Sequence, residues 1–473
     1  MSGAVVIAGN NLAAMVAAQS IAASGREVTL VNPAPFWGGH FAGLELESRR
    51  FDPGMVLYEF SAFNSEEAPD VRSYDPERRN DCGRFTRVVR DYVERRVPTV
   101  AAPDPSMLIG GRLLPDLVIG NHIESLAMLA GDTRDRVRTE LEEICASGTG
   151  PLHASHKARD KRFASTDFAT VSLANHGRTL HEAVFEPVCR KILGVSCRDI
   201  LALYHRVAWL PLYYPETLLS QFGATPQHLP ATQFHCPAEG SAGALVRALA
   251  QEVETHPGIR ILRTAIRMIR TGTPAILELA DGGTVTTADF VWALDPGALM
   301  ASADVQAPHA EHARASIGLC FIALAAEQLK FPLSSSFIID AERAVYRVTD
   351  QDACAGTGAP EHRLVAEFSP SSLASRGITD AAGQQQALLL ELAELGLIGA
   401  PQSVAYCSVK TLKNALMIPN SVNRDLFRRQ QDWLHRHFPA IHLAGPSAGF
   451  AAAAMNDQIV QGLKLGAQLG NAA

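Results

Sequence analysis

Gly9, Asn11 and Ala14 occupy the three positions of a G-x-G-x-x-G/A turn near the start of the chain. In such a turn the first glycine permits the tight bend and the second lets backbone N–H groups approach a diphosphate. The third lets helix pack on strand. Gly9 is intact and Ala14 is an accepted substitute, but Asn11 brings an amide side chain to where phosphates would lie. Asparagine tolerates unusual backbone angles and can itself donate a hydrogen bond. Leu12 opens the helix whose first N–H groups would face the anion. The acid expected to bind ribose hydroxyls at the end of the second strand is replaced by Asn32, which lacks the strength of a charged acceptor. A second helix start lies at Met455-Asn456-Asp457-Gln458. A helix N-terminus carries partial positive charge and free N–H groups, so it can stabilise an anion; ordinary capping by Asn456 or Asp457 explains the same residues.

The elements that would position these groups are legible at both ends of the chain. Ala4–Ala8 is a continuous apolar run, Leu12–Ser24 reads as an Ala-rich helix stopped by Gly25, and Val28–Val31 is a second strand. Together they make a βαβ unit. A mostly helical region is expected from Asn64 to Pro230, with a hairpin turning at Gly110-Gly111. Ala244–Thr255 reads as an amphipathic helix, followed by strands at Ile259–Arg263 and Ile276–Leu279, a turn at Asp281-Gly282-Gly283 and a strand at Val291–Leu294. Ser316–Glu327, Ala344–Val348 and Leu364–Phe368 read as strands of a second sheet, and Gln384–Leu395 as a helix. Strand Ile441–Ala444 and a helix over Asn456–Leu469 close the chain.

The chain has 473 residues, which favours two domains over one. Hydrophobic residues make up 47% and charged residues 19%, the composition of an ordinary globular protein. A net charge of −7 and a pI near 6.2 argue against a nucleic-acid partner. The eight cysteines form no C-x-x-C pair and have irregular spacings, as expected of reduced thiols in the cytoplasm rather than of a disulfide framework. The start shows no signal-peptide pattern, and no apolar run reaches the ~18–20 residues of a membrane span. His153 and His156 make only a pair, so no metal site is expected; the charge run Lys157–Arg162 reads as a solvated face.

Several further segments carry a resemblance. Phe36-Trp37-Gly38-Gly39-His40 is similar to the Gly-Gly-Arg or Gly-Gly-Asn loop of FAD-dependent amine oxidases and related mutases. Phe51-Asp52-Pro53-Gly54 resembles the F-D-x-G that follows it there. Pro237–Leu249 and Leu279–Leu299 resemble two later segments of that group. Gly177–His181, Phe185–Pro187 and Arg190–Gly194 resemble the helix pair of proteins similar to UDP-galactopyranose mutase and protoporphyrinogen oxidase. Gly445 and Asn456–Ile459 resemble its C-terminal segment. The order of the pieces agrees over nearly the whole chain. The sequence departs from the group at Asn11, at Asn32, at His40 and at Pro446, which follows Gly445 and has no N–H to offer.

The resemblance implies an α/β fold: a Rossmann-like FAD-binding domain with a parallel sheet, interleaved with a helical plus mixed-sheet substrate domain. The FAD-binding parts are 1–62, 232–300 and 405–473; the substrate domain is 63–231 and 301–404. It implies FAD held by Gly9, Asn11, Leu12, Ala14, Asn32, Gly38, Gly39, His40, Gly54 and Gly445. Ile266 would touch adenine, and Met455, Asn456, Asp457 and Gln458 the flavin edge. Arg347 would sit on the substrate sheet facing the flavin, as the candidate catalytic residue, with Tyr346, Arg178 and Arg206 as substrate contacts. A surface ion pair is the competing explanation of Arg347, and a solvated face that of the basic helical set Arg178, Arg190, Lys191, Arg198 and Arg206.

Three functions compete. The first is an FAD-dependent oxidoreductase acting on a small polar metabolite. The second is a non-redox flavin mutase or isomerase of a nucleotide-linked sugar. The third, motivated by the four altered contacts, is a flavin-free scaffold or non-catalytic subunit; Asn32-Pro33 through Gly39 is similar to a stretch of the Rab GDP-dissociation inhibitor group, which lacks flavin. A homodimer or a partner subunit stays open.

Overall fold

The structure is a computed structural model, and it describes residues 4–60, 83–148, 161–229, 231–307, 311–331, 333–450 and 452–470. His153, His156, most of the Lys157–Arg162 run and the boundary drawn at 62/63 lie outside the described residues.

The chain opens with β1 (Val5–Ala8), α1 (Leu12–Ala22) and β2 (Val28–Val31), and reaches the hairpin β3 (Ser106–Ile109) and β4 (Arg112–Pro115). Helices α2 (Phe168–Leu180, kinked at Gly177) and α3 (Glu186–Leu193) follow, then α4 (Gly243–Thr255), β5 (Ile259–Leu262) and β6 (Phe290–Trp292). The later elements are β7 (Arg314–Ala325), β8 (Ser335–Ile338), β9 (Val345–Asp350), β10 (Glu361–Phe368) and β11 (Val404–Met417). The chain ends with α5 (Ser421–His437), β12 (Ile441–Leu443) and α6 (Met455–Leu469).

Two sheets organise these elements. The first is parallel, in the order β5-β2-β1-β6-β12. Its strands β1 and β2 are buried along their whole length, which is why they read as continuous apolar runs rather than alternating ones. The second sheet is mixed, in the order β11-β7-β10-β9-β8-β3-β4, with β8 parallel to β3 and the other pairs antiparallel. The α/β architecture expected from the sequence is therefore present. Strand β11 pairs with β7 from Val404 to Met417, so strand pairing carries these residues into the second sheet, past the boundary drawn at 405. Neither β11 nor α5 was anticipated from the sequence.

Helix α1 is the most enclosed helix of the first layer: Leu12–Ala18 are all buried, between the parallel sheet and α6. The close approach is possible because α6 presents Gly462 and Gly466 to it. A Cβ on Gly462 would lie 2.5 Å from Val16 Cβ and 2.9 Å from the Ala13 carbonyl oxygen, and one on Gly466 would overlap Ser20. Among the described residues no helix is long and apolar enough to cross a membrane.

This contact sets the first prediction. Gly462→Ala forces two packed helices apart and is expected to lower unfolding free energy by about 1–3 kcal/mol in chemical denaturation. Gly223→Ala, where the nearest atom to the new Cβ is 3.5 Å away, should be neutral; equal effects would mean that α1 and α6 do not pack this closely.

Candidate functional site

In the parallel sheet, β2 and β5 lie on one side of β1, and β6 and β12 on the other. The chain order reverses between β1 and β6, which is where open α/β sheets leave a crevice beyond the carboxyl ends of their strands. The N-terminus of α1 lies at this crevice, and that of α6 is tied to it through Gln458.

The crevice is filled by amide side chains. Asn11 caps α1, its Oδ1 accepting the Ala14 N–H at 3.0 Å, while its Nδ2 donates a short hydrogen bond to the Ala293 carbonyl just beyond β6. A Cβ on Gly445 would run into that same amide, so Asn11 spans the seam from α1 to both neighbouring strand ends. Gln458 accepts the Ala13 N–H at 3.3 Å and donates to the Ala453 carbonyl at 2.9 Å. Gln461 accepts the Gly445 N–H at 2.7 Å and donates to Ala452. Three N–H groups suited to a diphosphate, those of Ala13, Ala14 and Gly445, are thus bonded within the chain. Gln461 was missed by sequence reasoning; its signal was a polar residue on the buried face of a terminal helix, three positions after Gln458.

The other predicted contacts are also placed. Asn32 is fully buried, and its Oδ1 accepts the Ala34 N–H at 2.8 Å in a turn closed by its own side chain. The Gly38 N–H bonds Asn10, and Gly38 packs directly on Val246 of α4. Gly39 begins a short turn, and His40 is exposed against Phe41, ring centroids 3.8 Å apart. Ile266 starts the antiparallel strand Ile266–Arg270 and packs on the apolar cluster that includes Val31. At the start of α6, Met455 is buried, Asn456 donates to the Glu59 carbonyl, and Asp457 accepts the Ala454 N–H, as a cap does.

The second sheet holds a buried ion pair. Arg347 on β9 meets Glu367 on β10 in a two-point contact, with Nη2 to Oε1 at 2.7 Å, and both side chains are at most 5% exposed. The guanidinium also lies over Trp209 and Phe337, at 4.9 and 5.3 Å from the ring centres. Gly54, with φ 102°, lets the Glu367 carboxylate approach its backbone, and the Met55 N–H bonds that carboxylate. Arg347 is therefore neither a surface ion pair nor an open guanidinium. Among the described residues, one of its nitrogens, Nη1, is buried without a hydrogen-bond partner, as is the hydroxyl of Tyr346, its neighbour in the chain. Two members of the basic helical set are engaged elsewhere: Arg178 is exposed and faces Glu182, and Arg190 pairs with Glu186. Lys191 is buried and donates to the carbonyls of Ile338 and Asp340; burial lowers its pKa to about 7.

A small cavity of about 10 Å³, room for one water, is lined by Asp52, Gly54, Cys236, Thr349 and Gln351 among others. Asp52 accepts from Ser241 Oγ and the Ala242 N–H at the start of α4, both at 2.9 Å. Burial raises its pKa to about 6 despite these bonds.

No protein-family model matches this chain, and no curated protein matches it in sequence. Solved structures match it throughout. Reduced UDP-galactopyranose mutase superposes with a TM-score of 0.71 at 13% identity, covering 100% of this chain and 96% of that one. A candidate protoporphyrinogen oxidase from Exiguobacterium sp. gives 0.65 at 15%, covering 99% of both chains. Cyclohexylamine oxidase from Brevibacterium oxydans gives 0.60 at 14%, again covering 99% of both. At such identities these likenesses establish the fold, and they bear out at that level the resemblance read in the sequence.

Two outcomes follow from the buried groups. Glu367→Gln leaves Arg347 charged and uncompensated, and should cost about 3–5 kcal/mol of stability in denaturant titration; a loss below about 1 kcal/mol would mean that the pair is solvated. Asp52 holds its proton more tightly folded than unfolded, so its contribution is present below about pH 4 and is lost as pH rises to about 6. It amounts to roughly 3 kcal/mol. Asp52→Asn should flatten that part of the stability–pH profile; an unchanged profile would place the carboxylate in water.

Proposed function

We propose that this chain is an FAD-dependent oxidoreductase of amine oxidase type, acting on a small polar metabolite. The observation that carries this reading is the crevice between β1 and β6, onto which the N-terminus of α1 opens in a fold shared with two oxidases and a mutase. Gly9 and the N–H groups of Ala13, Ala14 and Gly445 would hold the diphosphate, with the Gly38-Gly39 loop beside them. The start of α6, Met455 to Gln458, would face the flavin. A bound flavin supplies a hydride acceptor; the chain's part is to position the substrate. Arg347 Nη1 and the Tyr346 hydroxyl, which have no partner among the described residues, are donors suited to a carboxylate or carbonyl oxygen, which supports a polar substrate.

The backbone of the crevice fits a diphosphate, and the fit of its side chains turns on Asn11. Its two hydrogen bonds are worth about 1 kcal/mol each, and dinucleotide binding at micromolar strength is worth about 8 kcal/mol. Turning the amide aside therefore weakens FAD binding by about 30-fold and does not abolish it. A second reading, a flavin-free scaffold, is favoured by the additional amides Gln458 and Gln461, which hold the Ala13 and Gly445 N–H groups as well. The mutase reading draws on the Gly177–Gly194 helix pair and its basic residues, of which Arg178, Arg190 and Lys191 are bonded to Glu182, Glu186 and backbone carbonyls.

Asn11→Gly decides between the first two. It restores the second glycine of the turn and costs the cap only a few tenths of a kcal/mol. By fluorescence titration it should bind FAD about 30-fold more tightly than the native chain. If neither protein takes up FAD, the scaffold reading holds. If both bind equally tightly, Asn11 does not contest the site.

A further inference from the structure

Among the described residues there is one place where three side chains of metal-ligating type converge: His181, Glu186 and Cys197, whose donor atoms all lie within 4.8 Å of one another. It lies away from the crevice, at the foot of α2. His181 opens a π-helical turn, His181–Phe185, that follows α2, and Glu186 begins α3. Gly194, in the left-handed region, ends α3 and turns the chain so that the short helix Cys197–Asp199 returns to the start of α3. An insertion that widens one turn, followed by a glycine reversal, is what brings positions 181, 186 and 197 together. Such π turns are frequent at functional sites.

We propose that these three residues form a binding site for a single divalent cation of zinc type. The donor set is one imidazole nitrogen, one carboxylate oxygen and one thiolate sulfur, a combination that suits Zn²⁺ better than Mg²⁺ or Ca²⁺. Two anionic ligands neutralise the ion's charge, as a half-buried position requires. His181 Nε2 stands 3.9 Å from Glu186 Oε2. Closing that gap by about 0.5 Å lets one ion bond both at ~2.1 Å.

The groups behind the ligands are arranged as a metal site needs. His181 Nδ1 is 2.9 Å from Ser172 Oγ, which is 3.0 Å from His176 Nδ1. His176 Nε2 accepts the Tyr213 N–H at 3.0 Å, so its Nδ1 carries the proton and donates to Ser172. A Ser172 oxygen that accepts from His181 Nδ1 as well leaves Nε2 with its lone pair toward Glu186, the tautomer that metal binding requires. Glu186 Oε1 meets Arg190 Nε at 2.7 Å, and Oε2 accepts the Cys197 N–H at 3.0 Å. Cys197 Sγ donates to the Phe185 carbonyl, and water would fill the fourth position. His181 and Cys197 are buried, while the Glu186 side chain is 20% exposed and leaves a way in. Binding releases the Cys197 proton to solvent and involves no redox change. Its effect is to clamp α2, the π turn and the Cys197 turn together, independently of any flavin.

The test is titration of the full-length, chelator-treated protein with Co²⁺, followed by Zn²⁺ competition and thermal melting. The expected result is one Co²⁺ per chain with a thiolate-to-cobalt charge-transfer band, displaced by one equivalent of Zn²⁺, and a higher melting temperature with Zn²⁺. Cys197→Ser should abolish the band, and Cys320→Ser, whose thiol lies in the second sheet, should retain it. Glu186→Gln preserves an acceptor for the Cys197 N–H and guards against a mere folding failure of the first variant. With native circular dichroism it should still weaken Co²⁺ binding by about 100-fold or more. The proposal is overturned by the absence of a charge-transfer band at one equivalent, by a band that survives Cys197→Ser, or by undiminished affinity in folded Glu186→Gln.

Discussion

The side chain of Asn11 closes the seam on which the first layer is built. It ties the first turn of α1 to the end of β6 and rests against Gly445, so one amide touches both sides of the point where strand order reverses. Helix α1 can lie there only because α6 gives it glycines to pack on, and that packing brings Gln458 and Gln461 within reach of the same N–H groups. Three amides hold donors suited to a diphosphate. A ligand in the crevice competes with bonds of about 1 kcal/mol each rather than with backbone strain, so the frame can be kept while its occupancy is tuned.

The second layer depends on a different constraint. Arg347 and Glu367 are charged groups deep in a mixed sheet, and such a pair persists only when geometry and neighbours compensate for lost water. Gly54 gives the carboxylate room, Met55 gives it an N–H, and Trp209 and Phe337 face the cation. The F-D-P-G segment thus serves the second sheet, through Gly54 and Met55, as well as α4, which Asp52 caps. It couples the layers through a few hydrogen bonds and one small cavity.

The fold was legible wherever burial imposes a simple pattern. β1, β2, α1 and α4 follow from continuous apolar runs or a 3.6-residue period, and the hairpin at Gly110-Gly111 from its turn. β11 was not, because it is an edge strand whose outer half, around Lys410 and Lys413, is exposed and carries no clean alternation. α5 had a signal in the Asn420 cap and the spacing of Leu426, Phe427, Trp433 and Leu434, diluted by a heavily charged face. At the site, the suspicion attached to Asn11 and Asn32 was readable from residue type alone. What each amide bonds instead was not, since Ala293 and Gly445 are brought together only by the pairing of β6 with β12, and Gln461 by the packing of α6. The His181, Glu186 and Cys197 grouping was equally hidden, because a π turn and a glycine reversal separate its members from any regular ligand spacing.

A crystal structure of the native protein grown with FAD tests the account most directly, through the position of the Asn11 amide. The account predicts a diphosphate against the first turn of α1, with the Asn11 side chain turned away from the Ala293 carbonyl and the Gly445 N–H released from Gln461. A dinucleotide bound elsewhere while Asn11 still joins Ala14 to Ala293, or a crevice that stays closed at saturating FAD, would contradict it.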